Sequence, residues 1–264
     1  MYDFTYHRAA SLDQAKAAFE SADDARYMAG GMTLLPTLKQ RLAQPSDVID
    51  LAGVPDMAGV RRDGDAVVIK ALTTHAAVAA SAEVADAIPA LAQLASRIGD
   101  AQVRNRGTLG GSIANADPAA DYPAAVLGLG ATVRTAAREI AADDFFTAMF
   151  ETALEDGELI TEVSFPVPEA ACYMKFPNPA SRYAIVGVMV ARTSGSVRVA
   201  VTGAGPSAFR ATAMEQALAA NFSADALDGV AVPADDLNAD IHAGADYRAH
   251  LISVMAKRAV AGCG

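Results

Sequence analysis

Apolar residues recur at helical spacing near the amino terminus and alternate in short strands further along the chain. Ser11 and Gln14 form a capping box, which predicts an amphipathic helix running through Leu12, Ala15 and Phe19. Apolar runs of other lengths, bounded by turn residues, predict helices at 34–42 and 88–98 and strands at 26–28, 48–51, 66–72, 131–135 and 158–165.

The pattern changes after the Pro-Val-Pro segment at 166–168, where we expect a domain boundary. Three alternating runs follow it and predict a small antiparallel sheet, and two helical patterns come next. A run of strands followed by helices is typical of an α+β fold. The strands are expected at 173–176, 185–191 and 197–202, and the helices at 210–220 and 245–260.

Two glycine-rich segments are the main candidates for ligand binding: AGGMT at 29–33 and RNRGTLGGS at 104–112. The first falls at a strand-to-helix turn, and the second lies in an irregular stretch from 100 to 120, a length that is usually functional. Glycine lets the backbone approach a ligand, and amide groups at a helix start favour an anion, so both segments suit a pyrophosphate. The alternative is that both are tight turns that need left-handed backbone.

Two charged residues have two interpretations each. Asp121 could hold a sugar hydroxyl or cap the helix that begins at Tyr122. Lys175 stands in an apolar strand, where it could contact a ligand or mark a solvated sheet edge. The residues alone leave both questions open.

Composition and charge exclude several classes of protein. The chain has 264 residues, of which 52% are hydrophobic and 20% charged, as in a folded globular protein. Acidic residues outnumber basic ones by 31 to 21, so no basic footprint for nucleic acid or anionic lipid is expected. We find neither a secretory signal nor an apolar stretch long enough to span a bilayer, and we expect a cytoplasmic protein.

Cysteine and histidine are too few and too scattered for metal chemistry. The two cysteines, Cys172 and Cys263, cannot hold an iron–sulfur cluster or a structural zinc, and the four histidines share no ligand spacing. We therefore expect no metal ligand and no acid–base catalytic residue in this chain.

The order of the motifs resembles the FAD-binding medium (flavoprotein) subunits of the molybdenum hydroxylase family. This family includes the medium subunit of carbon monoxide dehydrogenase and the FAD domain of xanthine dehydrogenase. The resemblance covers nearly the whole chain and is most specific in RNRGTLGGS with its downstream D-P-x-x-D. The matching segments are AGGMTLLP at 29–36, VIDL at 48–51, ALTTH at 71–75, QVRNRGTLGGS at 102–112, ADPAADYP at 116–123 and GAGP at 203–206.

The resemblance implies a two-domain α+β fold and a set of cofactor contacts. Residues 1–167 would form an FAD-binding domain of the vanillyl-alcohol-oxidase type, with two α+β lobes that divide near 52–58. Residues 168–264 would form a small domain with a three-stranded sheet and helices. Non-covalently bound FAD would be contacted by Ala29, Gly30, Gly31, Met32, Thr33, Thr108, Leu109, Gly110, Gly111, Ser112, Asn115, Asp121, Ile160, Tyr173 and Lys175.

Within that set, the resemblance implies that the two glycine segments wrap the pyrophosphate and that Asn115 and Asp121 reach ribityl and sugar hydroxyls. Ile160 would lie against the flavin, Lys175 near its polar edge, and Tyr173 would stack on the ring or gate it. Many members carry Arg/Lys-x-Gly-Asp-aromatic-Ala after the lysine. Here Arg182 stands where the aspartate would be.

The function implied is an oxidoreductase subunit active only within a complex. A large subunit would hold the molybdenum cofactor, a small subunit two [2Fe–2S] clusters, and the enzyme would be a dimer of heterotrimers. FAD in this chain would pass electrons to an external acceptor: a quinone, oxygen or NAD⁺. The alternatives are a stand-alone flavin oxidase, which the few polar residues of the second domain disfavour, and an FAD-free assembly subunit, which the intact glycine segments disfavour.

Overall fold

The computed structural model describes residues 1–193 and 195–263. The amino-terminal part is a three-stranded parallel sheet of order β1-β3-β2 with two helices. The predicted capping box is present: the Gln14 amide donates to Ser11 Oγ at 3.1 Å, and Gln14 Oε1 accepts from the Ala10 amide at 3.0 Å. The elements are β1 (Thr5–Arg8), α1 (Leu12–Glu20), β2 (Ala25–Met28), α2 (Leu34–Lys39) and β3 (Asp47–Asp50).

The middle part contains a five-stranded antiparallel sheet of order β4-β5-β10-β6-β7, with helices between its strands and a separate two-stranded hairpin. The helix expected at 88–98 is shorter and begins at a proline. The elements are β4 (Val60–Asp63), β5 (Ala66–Lys70), α3 (His75–Ala80), α4 (Ala82–Ala87), α5 (Pro89–Ser96), α6 (Ala101–Arg104), α7 (Leu109–Asn115), α8 (Tyr122–Gly128), β6 (Thr132–Thr135), β7 (Glu139–Ala141), α9 (Ala142–Phe145), β8 (Phe146–Ala148), β9 (Glu151–Thr152) and β10 (Ile160–Pro166).

The carboxy-terminal part has one more strand than the sequence predicts. Its three long antiparallel strands agree with the prediction, but Phe209 and Arg210 also pair with Val201 and Ala200 to form a fourth, two-residue strand. Two residues give too short a pattern to be recognised in the sequence. The elements are β11 (Ala170–Pro177), β12 (Ala184–Thr193), β13 (Ser196–Thr202), β14 (Phe209–Arg210), α10 (Thr212–Ala220), a 3₁₀ turn (Ala224–Leu227) and α11 (Ala245–Ala261).

This last sheet is buried on both faces, which joins the carboxy-terminal part to the rest. Side chains alternate across a strand, and Tyr173 and Met189 pack into the core of the amino-terminal and middle parts. Their neighbours Cys172 and Val188 pack into a second core beneath α10 and α11. The sheet therefore separates two hydrophobic cores. Within the described residues, no helix has the length and apolar character needed to cross a membrane.

Candidate cofactor site

A cavity of about 620 Å³ lies where the three parts meet, a volume within the range of small-molecule sites. It is lined by the turn after β2, by α7, by the start of β10 and by the loop between β11 and β12. Most residues of the predicted site share this cavity: Ala29, Gly30, Gly31, Met32, Thr33, Thr108, Gly110, Gly111, Ser112, Asn115, Asp121 and Ile160.

The turn between β2 and α2 presents a row of unpaired backbone donors. Among the described residues, the amides of Gly30, Gly31, Met32 and Thr33 donate to no protein acceptor. Gly31 has φ +72°, a conformation that glycine adopts at little cost. Successive unpaired amides form a concave site for an anion. The cavity wall therefore carries a turn whose unpaired amides suit an anion.

The glycines also bring protein backbones together, which the sequence does not reveal. A Cβ at Gly30 would overlap the carbonyl oxygen of Arg106, so the two glycine segments touch there. A Cβ at Gly110 would lie 2.8 Å from the carbonyl oxygen of Ala71. Gly111 is less crowded, because its Cβ would meet only Thr108 Oγ1 at 2.9 Å and Ala29 Cβ at 3.5 Å. Neighbouring backbone therefore requires glycine at Gly30 and Gly110 whether or not a ligand is bound.

The second glycine segment is held in place by the TTH segment at 73–75, which leads into α3. The Leu109 amide donates to Thr73 O, and the His75 amide donates to Gly107 O, each at 3.0 Å. Thr108 then caps α7 by accepting from the Gly111 amide at 3.1 Å. Leu109 itself is fully buried and does not line the cavity, so its side chain anchors α7 from behind.

Asp121 is held by two residues of β11. Tyr173 donates its phenolic hydrogen to Asp121 Oδ1 at 2.5 Å, and Lys175 Nζ lies 2.8 Å from Asp121 Oδ2. The Asp121 side chain makes no capping bond to α8, so the capping interpretation is not realised. Burial raises the pKa of Asp121, and the Lys175 charge opposes that rise. The carboxylate stands at the cavity wall with its counter-ion behind it.

Tyr173 and Lys175 lie outside the cavity wall. The Tyr173 side chain is fully enclosed, and the Lys175 side chain is only 3% exposed. Lys175 therefore does not lie at a solvated sheet edge, which was one of its two interpretations. Tyr173 does not present its ring to the cavity in this structure, in contrast to the expected stacking or gating. Both residues face inward because β11 is packed on both faces.

Tyr183 and His75 are among the cavity residues that were not predicted as contacts. Tyr183 is 44% exposed and lines the cavity beside Arg182. The sequence feature that could have identified Tyr183 is the aromatic-Ala pair at 183–184, which matches the end of the segment found in many family members. His75 lines the cavity as well, and burial together with the Arg104 charge lowers its pKa to about 4. Its ring is neutral at pH 7 and packs on Tyr122 with centroids 5.3 Å apart.

Comparisons with known proteins agree over nearly the whole chain. The family "FAD binding domain in molybdopterin dehydrogenase" matches residues 2–168. The chain is 34% identical to the carbon monoxide dehydrogenase medium chain of Hydrogenophaga pseudoflava, over 97% of this chain and 96% of that one. It is 33% identical to the nicotine 6-hydroxylase medium subunit of Paenarthrobacter nicotinovorans, over 98% of this chain and 96% of that one.

Solved structures match equally well. Reconstituted CO dehydrogenase from Oligotropha carboxidovorans matches with a TM-score of 0.89 and 32% identity, covering 99% of this chain and 98% of that chain. Quinoline 2-oxidoreductase from Pseudomonas putida 86 matches with a TM-score of 0.89 and 28% identity, covering 99% and 97%. The likeness therefore includes the carboxy-terminal part, which lies beyond residues 2–168.

Proposed function

This chain belongs to the family of FAD-binding domains in molybdopterin dehydrogenases, as an oxidoreductase medium subunit, and we propose that it is the electron-transfer subunit of a three-subunit enzyme. In this proposal, substrate is oxidised at a molybdenum cofactor in a large subunit. Electrons then pass through two [2Fe–2S] clusters in a small subunit to FAD in this chain, and from there to an external acceptor.

The observation that carries the proposal is the row of unpaired amides at Gly30–Thr33 on the cavity wall. These donors suit the pyrophosphate of FAD, because each backbone N–H can bind a phosphate oxygen without a side chain between them. Gly111 leaves further room on the facing segment. The residues present therefore fit FAD, which when bound supplies the redox chemistry.

Several other residues in or behind the cavity wall have proposed tasks. Asn115 and Asp121 offer polar groups to the ribityl and sugar hydroxyls, and Ile160 offers an apolar surface to the flavin. Lys175 and Tyr173 act through Asp121: they hold its carboxylate in one orientation and keep it from turning away from the cavity. His75 keeps the second glycine segment in position through its backbone bond to Gly107.

The cysteine content of the chain supports this division of labour among subunits. It has two cysteines, too few for the four thiolates of a [2Fe–2S] cluster, so the clusters are assigned to a partner. We further propose that residues 1–167 bind FAD, that residues 168–264 form a second domain that completes the site from behind, and that the complex is a dimer of heterotrimers.

The test begins with the purified full-length chain. We expect a flavin absorption spectrum, FAD as the released flavin, and no reduction of the flavin by aldehydes or aromatic heterocycles. Purification of the native complex should recover one larger and one smaller chain, with molybdenum and iron present. Adding those two subunits should restore substrate-dependent reduction of an artificial dye.

Two results would contradict the proposal in different ways. A colourless chain that does not take up FAD would indicate an assembly subunit. Rapid flavin reduction by a substrate in the absence of other subunits would indicate a stand-alone oxidase.

A further inference from the structure

The two cysteines of the chain meet beneath the carboxy-terminal sheet, although they are far apart in sequence. Cys172 belongs to the buried core under α10 and α11, and Cys263 packs against that same core. Both are free thiols. Neither is among the residues that line the cofactor cavity, so the pair lies apart from the proposed FAD site.

Two contacts bring the cysteines together. Cys172 on β11 stands directly opposite Val190 on β12, and the Cys263 thiol donates to Val190 O, 3.9 Å from its sulfur. A Cβ on Gly262 would lie 2.8 Å from Cys172 Sγ, so the residue before Cys263 touches the other sulfur with its backbone. Consecutive Cα atoms are about 3.8 Å apart. Cys263 is therefore placed within reach of Cys172.

The segment that carries Cys263 can adjust without disturbing a helix. The last helix ends at Ala261, and both Gly262 and Cys263 lie in the turn that follows it. A disulfide needs a restricted separation and orientation of its two residues. A turn beginning with glycine can provide them through a small change in backbone angles, whereas Cys172 is fixed within a sheet.

The two thiols differ in access to a reagent. Cys172 is 6% exposed, while Cys263 is only partly buried, so an oxidant reaches Cys263 first. Burial raises the pKa of Cys172. Burial, and then the neighbouring Cys172, raise the pKa of Cys263 to about 12, against the charge of Arg192. Both groups are therefore protonated at pH 7, and oxidation should be slow.

We propose that Cys172 and Cys263 form a redox-sensitive disulfide, with a low-molecular-weight disulfide such as glutathione disulfide as the oxidant. Cys263 loses its proton and attacks one sulfur of the oxidant, which releases the first glutathione thiolate. Cys172 loses its proton and attacks the Cys263 sulfur, which forms the internal bond and releases the second thiolate. The two thiolates take up the two protons, and two electrons pass from the protein to the oxidant.

The bond would tie the end of α11 to β11. These two elements already pack against each other, and the covalent link would close the long loop between residues 172 and 263. Closing a long loop restricts the unfolded chain and so stabilises the folded one. The next residue on β11 is Tyr173, which faces the other core and holds Asp121. The link would therefore anchor this strand from behind.

The experiment uses the full-length chain as purified. It is incubated with glutathione disulfide at pH 8.5, where more of each thiol is ionised than at pH 7, until its composition no longer changes. Remaining thiols are alkylated, and peptides are identified by mass spectrometry. We expect a cross-linked peptide containing Cys172 and Cys263 and a melting temperature raised by several degrees. Dithiothreitol should reverse both changes.

Single substitutions serve as matched controls. Cys172→Ala leaves Cys263 without its partner, so the reaction should stop at a mixed disulfide with glutathione. Cys263→Ser leaves only the buried thiol of Cys172, which should remain unmodified. Neither variant should gain thermal stability on oxidation. Cys263→Ser alters a partly exposed turn residue and should fold normally, which circular dichroism checks for both variants.

Four results would overturn the inference. The unchanged chain could keep glutathione on Cys263 without an internal bond, or it could form disulfides only between separate molecules. Both thiols could stay reduced while urea-denatured chain oxidises fully, which would make the pair purely structural. An internal bond that leaves the melting temperature unchanged would show that it does not stabilise the fold. The proposed function is tested separately, because none of these measurements depends on flavin.

Discussion

The phenolic oxygen of Tyr173 lies 2.5 Å from a carboxylate oxygen of Asp121, and both side chains are buried. The positively charged Lys175 Nζ lies 2.8 Å from the other carboxylate oxygen of Asp121. A carboxylate enclosed in this way is stable only while its partners remain, because burial disfavours the charged form. The stability of the chain should therefore depend on Lys175.

We predict that Lys175→Met lowers the free energy of unfolding by about 3 kcal/mol at pH 7.5, as for removal of one partner of a buried ion pair. Burial already raises the pKa of Asp121, and loss of the opposing lysine raises it further. A raised acid pKa gives stability at low pH that disappears as pH rises. Urea unfolding at pH 5 and pH 7.5 should thus show the larger deficit at pH 7.5.

Lys257→Met is the control, because Lys257 forms an exposed pair with Asp228. It should change stability by less than about 0.5 kcal/mol at either pH. Equal effects of the two substitutions would show that the buried pair is unimportant.

A second prediction concerns Glu162 on β10, which binds Arg61 on one side and Arg134 on the other. The hydrogen bonds from Arg61, reinforced by the one from Arg134, lower the pKa of Glu162 to about 2. A lowered acid pKa gives stability above the ordinary value of 4.5 that is lost as pH falls toward 2.

Glu162→Gln should therefore lower the free energy of unfolding by about 1 kcal/mol at pH 7. The expected loss is small because both arginines are partly exposed, and solvent screens their charges. The deficit should shrink as pH falls below 4 in urea titrations. Glu139→Gln is the control, because Glu139 is 61% exposed and binds Arg134 alone. A deficit at pH 3 as large as that at pH 7 would contradict the assignment.

The third prediction separates two adjacent glycines of the second segment. Gly110→Ala places a Cβ against the carbonyl oxygen of Ala71, which belongs to a rigid backbone, so the melting temperature should fall by several degrees. Gly111→Ala meets mainly the Thr108 hydroxyl and should keep the fold while weakening FAD binding. Thermal unfolding and flavin content of the two variants, measured in parallel, give the comparison. Identical behaviour in both measurements would be inconsistent with it.

The fourth prediction is that FAD is not covalently attached. His75 is the histidine among the residues that line the cavity, and it is only 4% exposed, with Nε2 directed at Gly107 and Nδ1 buried. Neither Cys172 nor Cys263 is among the lining residues. Acid precipitation should release all of the yellow colour into the supernatant. Flavin that remains with the denatured protein would disprove the prediction.

The sequence predicts most elements because their signals are local. The Ser11 capping box, the strand before the first glycine segment and the long helix α11 depend on residues a few positions apart. The burial of Tyr173 cannot be predicted from such local signals, because it depends on the last sheet being covered on both faces. The contact between Gly30 and Arg106 likewise joins segments far apart in sequence, and a glycine pattern alone cannot distinguish protein from ligand as the neighbour.

The resemblance to a family adds site residues but not their orientation. It directs attention to Asp121 and Lys175, and the structure places the lysine behind the aspartate rather than on the cavity wall. It also draws attention to the aromatic position at Tyr183 without assigning it. Side-chain direction depends on strand packing, which changes with a single residue of register.

The sheet of β11 to β14 has a consequence for engineering chimeras between relatives. One of its faces supplies Tyr173 and Met189 to the core behind the cavity, and Lys175 on the same sheet neutralises Asp121. A hybrid joined near residue 168 would pair each half with a foreign partner, and a buried carboxylate could meet the wrong side chain. Productive crossovers should therefore exchange Asp121 and α8 together with this sheet, so that the aspartate and its lysine always come from the same parent.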